Sequence, residues 1–258
     1  MPKFAANLSM MFGEVEFLDR FATASRAGYK GVEFLFPYAF EAEVLAGELS
    51  GNGLEQVLFN MPPGDWDAGE RGLACLPDRV GEFQDGVGTA IEYAKALNCP
   101  RLHVMAGLKP EGVDDGKLRE TYVSNLKFAA GELAKAGLML VIEAINWRDM
   151  PGFYLNYSAQ AFEIIDEVGA PNLKFQYDIY HMQRMEGELA NTITANLDRI
   201  GHMQLADTPG RHEPGTGEIN YPFLFEAIDA AGYDGWIGCE YVPAAGTEAG
   251  LGWFAPYK

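Results

Sequence analysis

Polar and apolar positions along the chain repeat as a two-part unit, a short β-rich apolar segment followed by a stretch with apolar residues at helical spacing. The apolar segments are Lys3–Leu8, Gly31–Phe36, Glu55–Asn60, Arg101–Ala106, Met139–Ile145, Leu173–Tyr177, Ile200–Ala206 and Gly235–Glu240. Between them, sets such as Phe17, Phe21 and Ala24, or Ile91, Ala94 and Leu97, or Leu126, Ala130, Leu133 and Ala134, mark one face of a helix. Several of these stretches stop at glycine just ahead of the next strand, at Gly28, Gly53, Gly137 and Gly232. A left-handed helix cap suits a residue without Cβ there. Eight such units in 258 residues make roughly 32 residues each, the length of a βα repeat in a closed (β/α)8 TIM barrel. A doubly wound open sheet would carry a glycine-rich phosphate loop after its first strand, whereas this first strand runs into NLSMMFG. No linker, low-complexity tract or charge run divides the chain. The expectation is an α/β fold, one TIM barrel domain over residues 1–258.

Charge narrows the partners. Lys plus Arg number 19 against 37 Asp plus Glu, a formal −18, which repels phosphate backbones and anionic membranes, and no local basic patch offsets it. Neither nucleic acid nor a membrane is expected as a partner; self-association into a homo-oligomer stays open. The N-terminal segment has no apolar h-region, and no apolar run approaches about 18 residues. Cys75, Cys99 and Cys239 are odd in number and scattered, which fits a reducing compartment, and the expected location is the cytoplasm.

Candidate chemistry comes from polar residues that interrupt apolar strands. Strands of a parallel barrel are buried on both faces, so a charge inside one is costly unless paired or metal-bound. Glu143, Asp178, Gln204 and Glu240 stand at or near the C-terminal ends of the last four strands. That end of a barrel carries the active site. Three carboxylates and one amide oxygen form a hard ligand set suited to Mg²⁺ or Mn²⁺. Glu33 and His103 break the second and fourth strands, and Asn7 and Asn60 end the first and third. His181 follows Asp178 on the loop leaving the sixth strand, within reach of anything bound to the metal. His202, two residues before Gln204, lies on the same face but deeper, and reads as structural. Arg211 and His212 sit in the loop after the seventh strand, and an anionic substrate in an acidic cup would need such a cation. Asn7, Glu33, His103, His181 and Arg211 are the candidate substrate contacts. Cys239 should face away from Glu240, its strand neighbour. The run GLGWF at Gly250–Phe254 is expected to cover one side of the cup.

The segments NLSMMF (Asn7–Phe12), VEFLFPY (Val32–Tyr38), LHVMAG (Leu102–Gly107), RHEPGTGEINYP (Arg211–Pro222), GWIGCEY (Gly235–Tyr241) and GLGWF resemble those of the hydroxypyruvate isomerase family, in the xylose-isomerase-like barrel superfamily. The likeness runs end to end. It implies a divalent-metal barrel in which Glu143 and Glu240 act as proton donor and acceptor while Asp178 and Gln204 complete the metal site. The implied substrate is a small anionic hydroxy-keto acid, hydroxypyruvate or its one-carbon-longer homologue 2-oxo-tetronate. Related ketose 3-epimerases and endonuclease IV-like enzymes carry histidine where this chain has Gln204, a departure that weighs against epimerase activity. Two other classes compete: a metal phosphodiesterase of the endonuclease IV type, disfavoured by four histidines and a charge of −18, and a non-catalytic binding barrel.

Overall fold

The computed structural model describes all residues, 1–258. Eight strands, β1 (Lys3–Asn7), β2 (Gly31–Phe34), β3 (Glu55–Asn60), β4 (Arg101–His103), β5 (Met139–Glu143), β6 (Leu173–Asp178), β7 (Ile200–Leu205) and β8 (Trp236–Cys239), pair in sequence order. All pairs are parallel, and β8 returns to β1 to close the barrel. Every strand coincides with an expected apolar segment. Several are shorter at the C-terminal end: β2 stops at Phe34 and β4 at His103, because the chain there leaves the ladder to build the loops of the mouth.

The connections are α1 (Asp19–Ala27), α2 (Ala42–Asn52), α3 (Val80–Ala96), α4 (Asp115–Lys135), α5 (Ser158–Val168), then α6 (Ile179–Met185) and α7 (Leu189–Ala195) together after β6, α8 (Tyr221–Ala230), and α9 (Thr247–Gly250) after β8. Helices α1 and α2 end on Gly28 and Gly53 with φ of 106° and 63°, a left-handed conformation that costs a residue with Cβ.

Sixty-nine buried residues form one apolar layer between the strands and the helices. A separate apolar cluster of Ala5, Val57, Leu58 and Val141 is much smaller, and polar side chains take much of the space the strands enclose. The C-terminal run departs from expectation. Trp253 packs on Phe4 and Phe225, and Phe254 stacks on Tyr29, so this segment seals the outer side of β1 against α8 rather than a wall of the cup. The aromatic side chains win that position by burying large apolar area on the helix layer.

Candidate active site

Strand pleating turns alternate residues inward, and register decides which of them meet. Asn7 lies opposite Glu33, Glu143 opposite Gln176, and Asp178 opposite Gln204, which in turn is opposite Gly238. Glu240 follows β8 directly. The C-terminal mouth therefore gathers Asn7, Glu143, Asp178, Gln204 and Glu240, each 7 % exposed or less.

Asp178 is both a strand end and a helix cap. Its Oδ1 accepts from the backbone N–H of Tyr180 (2.7 Å) and His181 (3.3 Å), free donors at the second and third positions of α6. The cap turns Oδ2 into the cup, where no hydrogen-bond partner meets it. Glu143 Oε1 is likewise buried and unpartnered. Together with a ring nitrogen of His181 these two carboxylates offer ligand atoms within 4.8 Å of one another, close enough to share one metal ion.

Arg211, on the loop after β7, brings the cation. Its Nη2 donates to Glu240 Oε2 at 2.6 Å and stands 3.6 Å from Asp178 Oδ2, while its guanidinium lies over the Tyr180 ring at 5.0 Å. Three carboxylates against one guanidinium leave two formal negative charges, the charge one divalent ion would cancel. Buried unpaired oxygens with that deficit fit a hard dication.

The electrostatics follow from crowding. Burial, with Glu240 and Asp178 nearby, pushes the Glu143 carboxyl well above the ordinary range. Burial raises Asp178 as well, against the opposing pull of Arg211 and its two N–H donors. Glu240 is pushed up to about 8 by burial, although Arg211 holds it back. Two histidines face Glu143, with Nε2 of His103 at 3.6 Å from Oε2 and Nε2 of His181 at 3.8 Å from Oε1. Burial lowers His103 to about 3, and burial plus the Arg211 and Arg184 charges depress His181 well below the usual value. Both rings are neutral at pH 7. His103 is oriented by Asn60 Oδ1, 3.0 Å from its Nδ1.

Beneath the mouth lies a polar column. Glu33, 1 % exposed, accepts from Asn7 Nδ2 (3.0 Å) and Gln204 Nε2 (2.7 Å) on Oε1 and meets His202 Nε2 (2.7 Å) with Oε2. Arg101 Nη1 lies 3.2 Å from His202 Nδ1 below that. Gly238 makes room for it: a Cβ there would come within 2.2 Å of Glu33 Oε2. Glu33 is thus saturated by protein donors under the cup, and His202 is deep, as its strand position implied. The Gln204 amide is set by this column, its nitrogen toward Glu33 and its Oε1 accepting from Gln176 Nε2 at 2.7 Å. The oxygen keeps a second lone pair for a ligand.

Three residues escaped sequence reasoning. Asn146 Nδ2 lies 2.7 Å from His181 Nδ1, Asp149 holds Asn146 and accepts from the Tyr180 hydroxyl, and Gln176 sits against Gln204. Asn146 and Asp149 lie beyond β5 in INWRD, where only their polarity between Ile145 and the loop hinted at a role. His212 is spent on the neighbouring loop after β8, with Nδ1 2.7 Å from the Val242 carbonyl. Cys239 faces outward to the Tyr29 hydroxyl, away from Glu240. A cleft of about 940 Å³ lies at the opposite end, between Leu54, Ala94, Pro100, Leu138 and Trp236, and holds none of these groups.

Comparison with known proteins fits this geometry. Residues 21–257 match the model of the family described as xylose isomerase-like TIM barrel. The chain is 54 % identical to hydroxypyruvate isomerase of Escherichia coli (strain K12) over all of both chains. It is 55 % identical to 2-oxo-tetronate isomerase of Cupriavidus necator, over 100 % of this chain and 99 % of the other. A crystal structure described as AP endonuclease, family 2, from Brucella melitensis superposes over the full length of both chains with a TM-score of 0.98 at 50 % identity. The chain belongs to the xylose isomerase-like TIM barrel family, in the group of the hydroxypyruvate and 2-oxo-tetronate isomerases, and is an isomerase.

Proposed function

We propose that this enzyme interconverts hydroxypyruvate and 2-hydroxy-3-oxopropanoate, with Glu143 and Glu240 moving the proton. The observation that carries the reading is the pair of buried glutamates at one cup, both with raised affinity for protons and both beside unsatisfied oxygen ligands. The reaction shifts one proton between adjacent carbons through an enediol whose charge collects on oxygen, and so needs a base, an acid and an electrophile. Glu143, Asp178, Gln204 and Glu240 would hold a divalent ion, Mg²⁺ or Mn²⁺, which when bound would supply Lewis-acid chemistry at the substrate carbonyl.

Every other part belongs to the chain. A carboxylate whose pKa is lifted toward neutrality takes a proton from carbon more readily than an ordinary one, and returns it more readily too. Arg211, 23 % exposed beside Glu240, is the cation that would meet the substrate carboxylate. His181 and His103, both neutral, flank Glu143 and meet substrate oxygens, whereas Asn7 and Glu33 hold the ligands from below. All three cysteines are free and buried, in keeping with a cytoplasmic enzyme, and no helix is long and apolar enough to cross a membrane.

The longer 2-oxo-tetronate shares the reacting carbons and is the second candidate substrate, since relatives of similar identity carry either name. Phosphodiester chemistry is disfavoured by the charge of −18. The test is turnover: kcat/KM for both keto acids with Mg²⁺ or Mn²⁺ and after chelation. Conversion of either one, lost on chelation and restored by metal, is expected; no conversion of either would overturn the reading.

A further inference from the structure

We propose that Asn146 is a positioning residue that fixes His181 as the Nε2–H tautomer, so that His181 donates to the substrate and stays outside the metal's ligand set. Proximity alone points the other way, since His181 lies in the tight cluster with Glu143 and Asp178. A histidine binds a metal through a nitrogen lone pair, and the second nitrogen then carries the proton and donates it to a carboxylate, carbonyl or water. His181 has the reverse surroundings.

Its Nδ1 faces donors. Asn146 Nδ2 lies at 2.7 Å, and the backbone N–H of Asn146 at 3.5 Å points to the same atom. The backbone group is a donor whatever the side chain does. The side-chain orientation is itself fixed, because Asn146 Oδ1 accepts from the Asp149 N–H at 2.9 Å and Nδ2 donates to Asp149 Oδ2 at 3.0 Å. Turning the amide over would break both bonds. Asp149 is held in place by the Tyr180 hydroxyl (2.7 Å) and by Arg184 (2.8 Å). With Nδ1 accepting, a neutral ring carries its proton on Nε2. That N–H opens onto Asp178 Oδ2 at 3.6 Å and Glu143 Oε1 at 3.8 Å, too far for direct hydrogen bonds. A substrate oxygen entering between them receives a donor that needs no reorientation.

The tautomer follows from the hydrogen-bond geometry alone; the roles toward metal and substrate rest on the isomerase reading. Ring-¹⁵N histidine labelling of the full chain, with the His181 signal assigned by its loss in His181→Gln, reads the tautomer directly. The expected result is Nε2–H without metal and with saturating Mg²⁺. An Nδ1–H ring in the metal-free protein, or a switch to it on adding Mg²⁺, would overturn the proposal. The double substitution Asn146→Asp with Asp149→Asn puts an acceptor against Nδ1 while keeping the Asn–Asp pair. It should move the proton to Nδ1, add an imidazole-nitrogen coupling to the spin-echo spectrum of bound Mn²⁺ that the parent lacks, and lower kcat about 10–100-fold without loss of Mn²⁺ affinity. Imidazole coupling in the parent protein would contradict the assignment. If neither ion binds, the metal reading fails, and the metal-free ¹⁵N spectrum still decides the tautomer.

Discussion

Glu143 and Glu240 differ in what restrains them. Glu240 is tied to Arg211 at 2.6 Å and approached by Asn7 at 3.5 Å, whereas Glu143 touches only two histidine nitrogens beyond 3.5 Å. On the proposed roles, replacing either by Gln would keep an oxygen ligand and delete proton transfer. Turnover should fall about 10²–10⁴-fold in each variant while Mn²⁺ still binds by calorimetry. Metal loss equal to the loss of rate would make them ligands only. At Gly238 the constraint is steric: Gly238→Ala drives a methyl into the Glu33 carboxylate and should destabilise the fold by about 1–3 kcal/mol in urea unfolding. An unchanged midpoint would show that Glu33 moves aside freely.

Among the elements, β6 and α6 share one residue. Asp178 ends the strand, caps the helix and aims its other oxygen at the cup, so its charge and its capping are separable. Asp178→Asn retains a capping oxygen and should weaken Mn²⁺ binding with little change in Tm; Asp178→Ala should also cost about 0.5–2 kcal/mol of stability through the lost cap. Parallel losses of Tm in both would deny the distinction. The strands themselves were legible because burial on both faces makes them continuous apolar runs, in which Glu33, His103, Glu143 and Gln204 stand out. Strand ends were less so: β4 leaves the ladder at His103 although Val104, Met105 and Ala106 are apolar, since they are buried under loops instead. Asn146 and Asp149 were missed because a loop residue's partners depend on where the loop folds back, which spacing does not encode. GLGWF was misplaced for the same reason.

Over the whole molecule, the excess of acids includes a cluster of carboxyls whose burial raises their affinity for protons. Glu240, lifted from 4.5 to about 8, stabilises the metal-free fold fully below about 4.5, and that contribution is lost as pH rises through about 8. Glu143 and Asp178 shift in the same direction. In EDTA the Tm should therefore fall between pH 6 and pH 9. On the proposed reading a bound Mg²⁺ would displace those protons, so the gap between metal-loaded and EDTA-treated protein should widen over the same range. A gap independent of pH would mean that the metal binds away from these acids.

The central claim, that two separate glutamates carry the proton, is tested most directly by letting the Mg²⁺-loaded enzyme convert hydroxypyruvate in D₂O and reading the product by NMR. If one carboxyl abstracts at C3 and another delivers at C2, the delivered atom comes from a group that exchanges with solvent, and 2-hydroxy-3-oxopropanoate formed by the enzyme should carry deuterium at C2. Product formed at full rate with the original C3 hydrogen at C2 would contradict it, because the hydrogen would then have crossed directly or on a single base.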